Sequence, residues 1–210
     1  MAETLKEKAY TSIRQRILNG TLKAGEFLTE RSLVETLGMS RTPIRAALER
    51  LDVEGLVWYT PNKGLVVAEI SLNRVDDFFD FRTALECHIV RKLAQRNWDQ
   101  DDIDWFEENL RQQQQYVQDN DCARFTEADS LFHRKLARVY DNAEIVQTIE
   151  SLQDRFYRTA LSVLQKDAGH IQVSCEDHAA IFALIRQGEG DAAARKMEQH
   201  LVYGKRILVM

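Results

Sequence analysis

The stretch Thr29-Glu30-Arg31-Ser32-Leu33-Val34-Glu35-Thr36-Leu37-Gly38-Met39-Ser40-Arg41-Thr42-Pro43-Ile44-Arg45 decides the reading of this chain. Leu33 and Leu37 recur at helical spacing, and Ile44, Ala47, Leu48 and Leu51 do the same after a short break, so two amphipathic helices are expected. Thr29 is an N-cap residue for the first, and Gly38 supplies its C-terminal stop. Ser40 caps the second, and Pro43 sits in its first turn, where a missing N–H costs little. Arg41, Thr42 and Arg45 fall opposite the apolar stripe, within the first turn and a half. A helix that reads DNA does so from its N-terminal end, where side chains and the positive dipole both point at the groove. Arginine is the usual bidentate partner of guanine, and threonine meets a phosphate or a thymine methyl. The stretch therefore reads as a helix-turn-helix.

The flanks extend this reading. Leu5, Ala9, Ile13 and Ile17 repeat every four residues, which predicts a helix over Leu5–Leu18, ended by Asn19-Gly20. Leu22–Leu28 reads as a short extended connection. Gly55 closes the helix that begins at Arg41. Leu56–Tyr59 and Leu65–Ala68 then read as two strands of a β-hairpin wing, turned at Pro61-Asn62-Lys63-Gly64. Arg31 on the preceding helix and Lys63 at the wing tip suit phosphate or minor-groove contact.

The remainder has a different character. Both prolines, Pro43 and Pro61, lie in the first third of the 210 residues, and the rest is rich in Leu, Ala, Gln, Glu and Arg. That composition predicts helix throughout, in six segments at about 74–96, 99–118, 121–140, 142–165, 172–187 and 189–207. Asp99, Asp141 and Asp191 stand at helix starts. The predicted organisation is a winged helix over 1–68, a linker over 69–73 and a helical domain over 74–210. The net charge of −5 divides accordingly: residues 1–68 hold 10 Lys+Arg against 8 Asp+Glu, and residues 69–210 hold 18 against 25. A cationic module joined to an acidic remainder fits a DNA reader attached to something else.

Other classes are disfavoured. Hydrophobic residues make up 44% and charged residues 29%, a globular composition rather than a disordered one. No apolar run approaches the roughly 20 residues of a membrane span, and the N-terminus lacks a signal-peptide segment. A cytoplasmic protein is expected. Cys87, Cys122 and Cys175 are scattered and odd in number, which argues for reduced thiols rather than disulfides or a zinc ribbon.

Asp129 and His133 are four apart on one predicted helix, so both side chains leave one face. His178 and His200 lie on two later helices and join them only if the helices bundle. Carboxylate and imidazole ligands suit Zn, Ni, Mn or Fe, without choosing among them. Arg82 lies on an otherwise apolar face. It reads either as the i,i+4 partner of Glu86 or as a fork for a small carboxylate.

The pattern from Leu28 to Val57 resembles the winged helix of GntR-type bacterial regulators, over residues 5–68. Residues 74–207 are similar to the all-helical effector (FCD) domain of the FadR branch, in its shorter six-helix, VanR-like form. The resemblance implies a mostly α fold, with a winged helix-turn-helix followed by an antiparallel six-helix bundle. It implies DNA contacts by Arg31, Arg41, Thr42, Arg45 and the Lys63-Gly64 wing tip. It implies a divalent metal on Asp129, His133, His178 and His200, with Arg82 in an effector pocket and Asn142 as a polar helper. Phe132 and the Gly190-Asp191-x-x-x-Ala194 segment also fit. One departure is Ala46, where the family usually has Glu.

Together these imply a regulator and not an enzyme, since no general base or nucleophile motif is placed. One recognition helix makes few base contacts, so a homodimer on a short pseudo-palindromic operator of double-stranded DNA, of GT…AC form in the family, is expected. A small organic acid beside the metal would shift the spacing of the two winged helices. The alternatives are a regulator for which the ion itself is the signal, and a metal-dependent hydrolase.

Overall fold

The computed structural model describes residues 4–60, 64–68, 72–152, 157, 159 and 169–209. Cα packing divides the chain into two compact units, Met1–Ile70 and Ser71–Met210.

The first unit holds α1 (Leu5–Leu18), β1 (Phe27–Leu28), α2 (Glu30–Leu37), α3 (Arg41–Val53), β2 (Val57–Thr60) and β3 (Gly64–Val67). Thr29 Oγ1 accepts from the Ser32 amide at 3.1 Å, and Gly38 ends α2 at φ 64°, a conformation that favours glycine. Ser40 takes the N-cap position of α3, but its side chain makes no capping bond. Ala9, Ile13 and Ile17 pack with Ile44, Leu48 and Leu51 in one core, whereas Leu5, expected on the same stripe, is exposed. The sheet has order β1-β3-β2, all antiparallel, with Phe27 opposite Val66 and Trp58 opposite Val66 from the other side. The sequence reading had only the hairpin. The third strand lies in the expected extended connection, and two residues are too few to show a period of two. Gly64 opens β3 at φ 85°. Nothing crowds the space a Cβ would take there, so backbone conformation is what asks for glycine. Lys63 lies outside the described residues.

The second unit holds, among the described residues, α4 (Leu72–Leu93), α5 (Gln100–Gln118), α6 (Cys122–Tyr140), α7 (Ala143–Ser151), α8 (His170–Arg186) and α9 (Gly190–Val209). Helix α4 begins two residues before its expected start, inside the expected linker, while residues 69–71 of that linker lie outside the description. Residues 153–156 and 160–165, expected to prolong the fourth helix of this unit, are also outside it. Asp99 caps α5 as read. Asp141 does not start a helix: at φ 62° it ends α6, and Asn142 takes the N-cap of α7. Acidic and amide side chains tolerate the left-handed region, so an Asp-Asn pair serves as stop and start in turn. Cys175 is buried, Cys87 and Cys122 are half-buried, and none is bridged. No helix among the described residues is long and apolar enough to cross a membrane.

An aromatic cluster anchors the core. Phe106 stacks on Phe182 at 4.8 Å and meets Phe132 edge-on at 5.4 Å. Phe132 stacks in turn on the His178 ring at 4.4 Å, so the core leads directly into a group of histidines. Helix α9 packs closely on α4. A Cβ added at Gly190 would stand 2.8 Å from the Arg91 carbonyl oxygen. Gly190→Ala is therefore expected to push the start of α9 off α4 and to cost about 1–3 kcal/mol. Denaturant unfolding of the full chain measures this, and unchanged stability would contradict the close approach.

Candidate metal centre and DNA-reading surface

Asp129 and His133 leave α6 on one face, His178 comes from α8 and His200 from α9. One potential ligand atom from each lies within 4.8 Å of all the others. The three histidines are buried, and the Asp129 side chain keeps 13% exposure. His178 Nε2 is 3.3 Å from His200 Nε2 and 3.5 Å from Asp129 Oδ1.

The neighbouring bonds determine which nitrogens carry protons. Asn109 Nδ2 donates to the Ala128 carbonyl oxygen at 3.1 Å, an atom that only accepts. Asn109 Oδ1 is then the acceptor for Gln113 Nε2, at 2.7 Å. Gln113 Oε1 in turn accepts from His178 Nδ1–H at 2.8 Å. The relay runs one way and leaves the lone pair of His178 on Nε2. His133 Nδ1–H donates to the Glu86 carboxylate, and its buried Nε2 has no hydrogen-bond partner among the described residues. His200 places Nδ1 3.5 Å from Asp177 Oδ2, an ion-pair distance without a hydrogen bond, and Nε2 beside His178 Nε2. Two lone pairs, the His200 Nε2 atom and a carboxylate thus converge. Such an arrangement repels itself unless a proton or a cation lies between them. Burial, with the charges of the other histidines, pushes His178 well below the ordinary imidazole range, and burial lowers His200 as well. Neutral imidazoles of this kind are ready metal ligands, and His133 and His178 are each backed by a hydrogen-bonded second group, as in metal sites generally.

Glu86 is 2% exposed and also accepts from Arg82 Nε at 2.7 Å. Burial opposes its ionisation, but Arg82 and His133 outweigh burial and hold it down at about 2. Arg82 is thus the i,i+4 partner of Glu86 and also lines a small cavity of about 30 Å³ with Asp129, His200, His170 and Ser174. Phe79 supplies an apolar wall. Asn142 does not reach this cavity. Its Oδ1 accepts from the Ile145 amide at 3.1 Å, so the expected effector contact is replaced by a helix cap.

Sequence reasoning missed Gln113, Asn109, Asp177 and the second role of Glu86. A signal existed for two of them. Asn109 and Gln113 share a helical face with Phe106, and polar residues on an apolar stripe ask for buried partners.

On the first unit, Arg41, Thr42 and Arg45 project from the first turns of α3 and are exposed. Arg45 forks onto Glu30 through Nε at 2.8 Å and Nη2 at 3.0 Å. Arg31 pairs with Glu35 at 3.0 Å. Both are surface pairs, weak enough to yield to a stronger anion.

A three-helix winged unit followed by a helical unit with a buried Asp/His cluster is the architecture of a DNA-binding regulator with an effector domain. Comparison with known proteins agrees. Residues 5–67 match the family of bacterial regulatory proteins of gntR type, and residues 77–203 match the FCD domain. The chain belongs to the GntR family of transcriptional regulators, in the FadR-like branch that carries an FCD domain. It is 28% identical over 202 residues to the HTH-type transcriptional repressor RspR of Escherichia coli (strain K12), covering 95% of this chain and 86% of that protein. It is 30% identical over 179 residues to the Nta operon transcriptional regulator of Aminobacter aminovorans, covering 85% and 82%. Among solved structures it is similar to E. coli McbR/YncC, with a TM-score of 0.80 at 22% identity over 100% of this chain and 98% of that one. A GntR regulator of Rhodococcus sp. RHA1 superposes with a TM-score of 0.79 at 20% identity, covering 97% of each. The families and relatives are regulators of transcription, not enzymes.

Proposed function

We propose that this chain acts in the cytoplasm as a homodimeric regulator whose operator affinity is set by a small carboxylate held beside a divalent metal ion. The observation that carries the metal reading is the convergence of three Nε2 atoms and the Asp129 carboxylate, with His133 and His178 each oriented by a hydrogen bond at Nδ1. Asp129, His133, His178 and His200 would hold Zn, Ni, Mn or Fe. When bound, the ion supplies a Lewis-acid site for an anionic ligand. Arg82 supports the carboxylate reading, because a guanidinium and two of the ligand residues face one cavity.

On the first unit, Arg41, Thr42 and Arg45 would read base edges, while Arg31 and the Lys63-Gly64 turn would meet the backbone. Two copies on a pseudo-palindrome would supply the specificity that one recognition helix lacks. The acid would act by binding two arrangements of the dimer with different affinity.

The test joins metal analysis of the purified protein with a thermal-shift screen of small organic acids and operator titrations. Constant metal content, with an acid that raises the melting temperature and shifts operator affinity, is the expected result. Operator affinity that follows metal concentration alone would replace this reading with metal sensing. Arg82→Ala is expected to weaken the response to the acid at least about tenfold, as loss of a charged hydrogen-bonding partner does, without weakening DNA binding by the acid-free protein. An unchanged response would make Arg82 purely structural.

A further inference from the structure

We infer that Glu86 is the positioning residue through which the cavity, by way of Arg82, is coupled to the metal-binding nitrogen of His133; this rests on the metal centre proposed above. Glu86 lies on α4 and none of the four ligands does, yet both of its oxygens are committed. Oε1 accepts from Arg82 Nε at 2.7 Å, and Oε2 accepts from His133 Nδ1–H. The two donors face different parts of one region, since Asp129 and His200 belong to both the cavity and the ligand cluster. Arg82 faces the cavity. His133 turns Nε2, buried and without a hydrogen-bond partner among the described residues, toward Asp129, His178 and His200. A carboxylate is a rigid plane, so both donors are set by one group. The Glu86 and Arg82 side chains are 3% and 7% exposed, which leaves little room for water to replace either bond.

A structural role alone, in which Glu86 merely neutralises Arg82, does not need the second bond. The second bond has a chemical consequence. It keeps the proton of His133 on Nδ1 and the lone pair on Nε2, where a metal needs it. Any anion that draws the Arg82 guanidinium into the cavity also moves the acceptor of His133. Cavity occupancy and metal affinity are then linked, and the linkage is reciprocal.

The replacement Glu86→Gln isolates the effect. An amide offers one acceptor oxygen, so one of the two donors must face an N–H instead. If that donor is His133, its lone pair moves to Nδ1 and a proton faces the centre.

The experiment measures Zn²⁺ affinity of the metal-free full chain by competition with a chromophoric chelator. Four proteins are compared: wild type, Glu86→Gln, Arg82→Lys and the double variant. Arg82→Lys keeps the charge and loses the fork. Glu86→Gln is expected to weaken Zn²⁺ about 10- to 100-fold, the usual effect of removing a group that orients a ligand. Arg82→Lys is expected to weaken it about three- to tenfold in the native background and by less than about twofold once Glu86 is Gln. The visible spectrum of the Co²⁺-loaded protein reports the same coupling without relying on Glu86→Gln folding. It is expected to shift in Arg82→Lys although residue 82 is not a ligand. Native Zn²⁺ affinity in Glu86→Gln, an Arg82→Lys effect undiminished in the double variant, or an unshifted Co²⁺ spectrum would each overturn the coupling alone. A wild-type chain that binds neither Zn²⁺ nor Co²⁺ would overturn the metal centre and the coupling with it.

Discussion

Replacing His178 and His200 together by alanine is expected to strip the metal from the purified protein. The two residues supply two of the three converging nitrogens, from separate helices. Structural zinc sites bind with roughly 10–16 kcal/mol shared among four ligands, so each ligand is worth about 3 kcal/mol and two are worth about four orders of magnitude in affinity. Elemental analysis reads this directly, and full metal occupancy in the double variant would refute the site. A second readout separates metal loss from damage to the core, since His178 stacks on Phe132. A ligand that binds only the folded state raises its stability by mass action. A chelator is therefore expected to lower the melting temperature of the wild type and to leave that of the variant unchanged.

The second large effect lies on α3. Arg41→Ala combined with Arg45→Ala is expected to abolish operator preference while the protein stays folded and keeps its oligomeric state. Each bidentate arginine–guanine contact discriminates by about tenfold to a hundredfold. In the proposed dimer two such residues on each protomer would make four contacts, and their combined loss would cover the whole interval of about 10³–10⁷ between specific and non-specific binding. The ion pair of Arg45 with Glu30 does not change this expectation, because it lies on the surface and yields to a guanine edge or a phosphate. Binding to operator and scrambled duplexes is compared at one salt concentration, since the phosphate contribution depends on salt. A variant that still prefers the operator would remove α3 from the reading role.

Much of the fold was legible because it is written in local rules. Thr29, Gly38 and the repeat of Ile44, Ala47, Leu48 and Leu51 each act within one or two turns of chain, and they place α2 and α3 where the structure has them. The strand Phe27–Leu28 escaped because its stability comes from pairing with β3, some 38 residues onward. Asp141 and Asn142 show a subtler failure. Asp141 reads as a helix start and Asn142 as a polar helper in the effector pocket, but backbone geometry at the junction of α6 and α7 makes Asp141 the stop of one helix and Asn142 the cap of the next.

The sequence by itself determined the helix-turn-helix, the hairpin and the shared face of Asp129 and His133, because helical periodicity and turn chemistry act over a few residues. It also narrowed the metal ligands to carboxylate and imidazole, though only by resemblance to a family did it select four of them. Tertiary structure decided the rest. Of five histidines, three meet one another, while His170 faces the cavity and His88 bonds the Tyr140 hydroxyl at 3.0 Å. Tertiary structure alone turned three Nε2 atoms inward, because Glu86 on α4, Gln113 on α5 and Asp177 on α8 reach them across helix–helix contacts. Periodicity states which face a residue occupies. Which faces meet, and which nitrogen then bears the proton, follows only from how the helices pack.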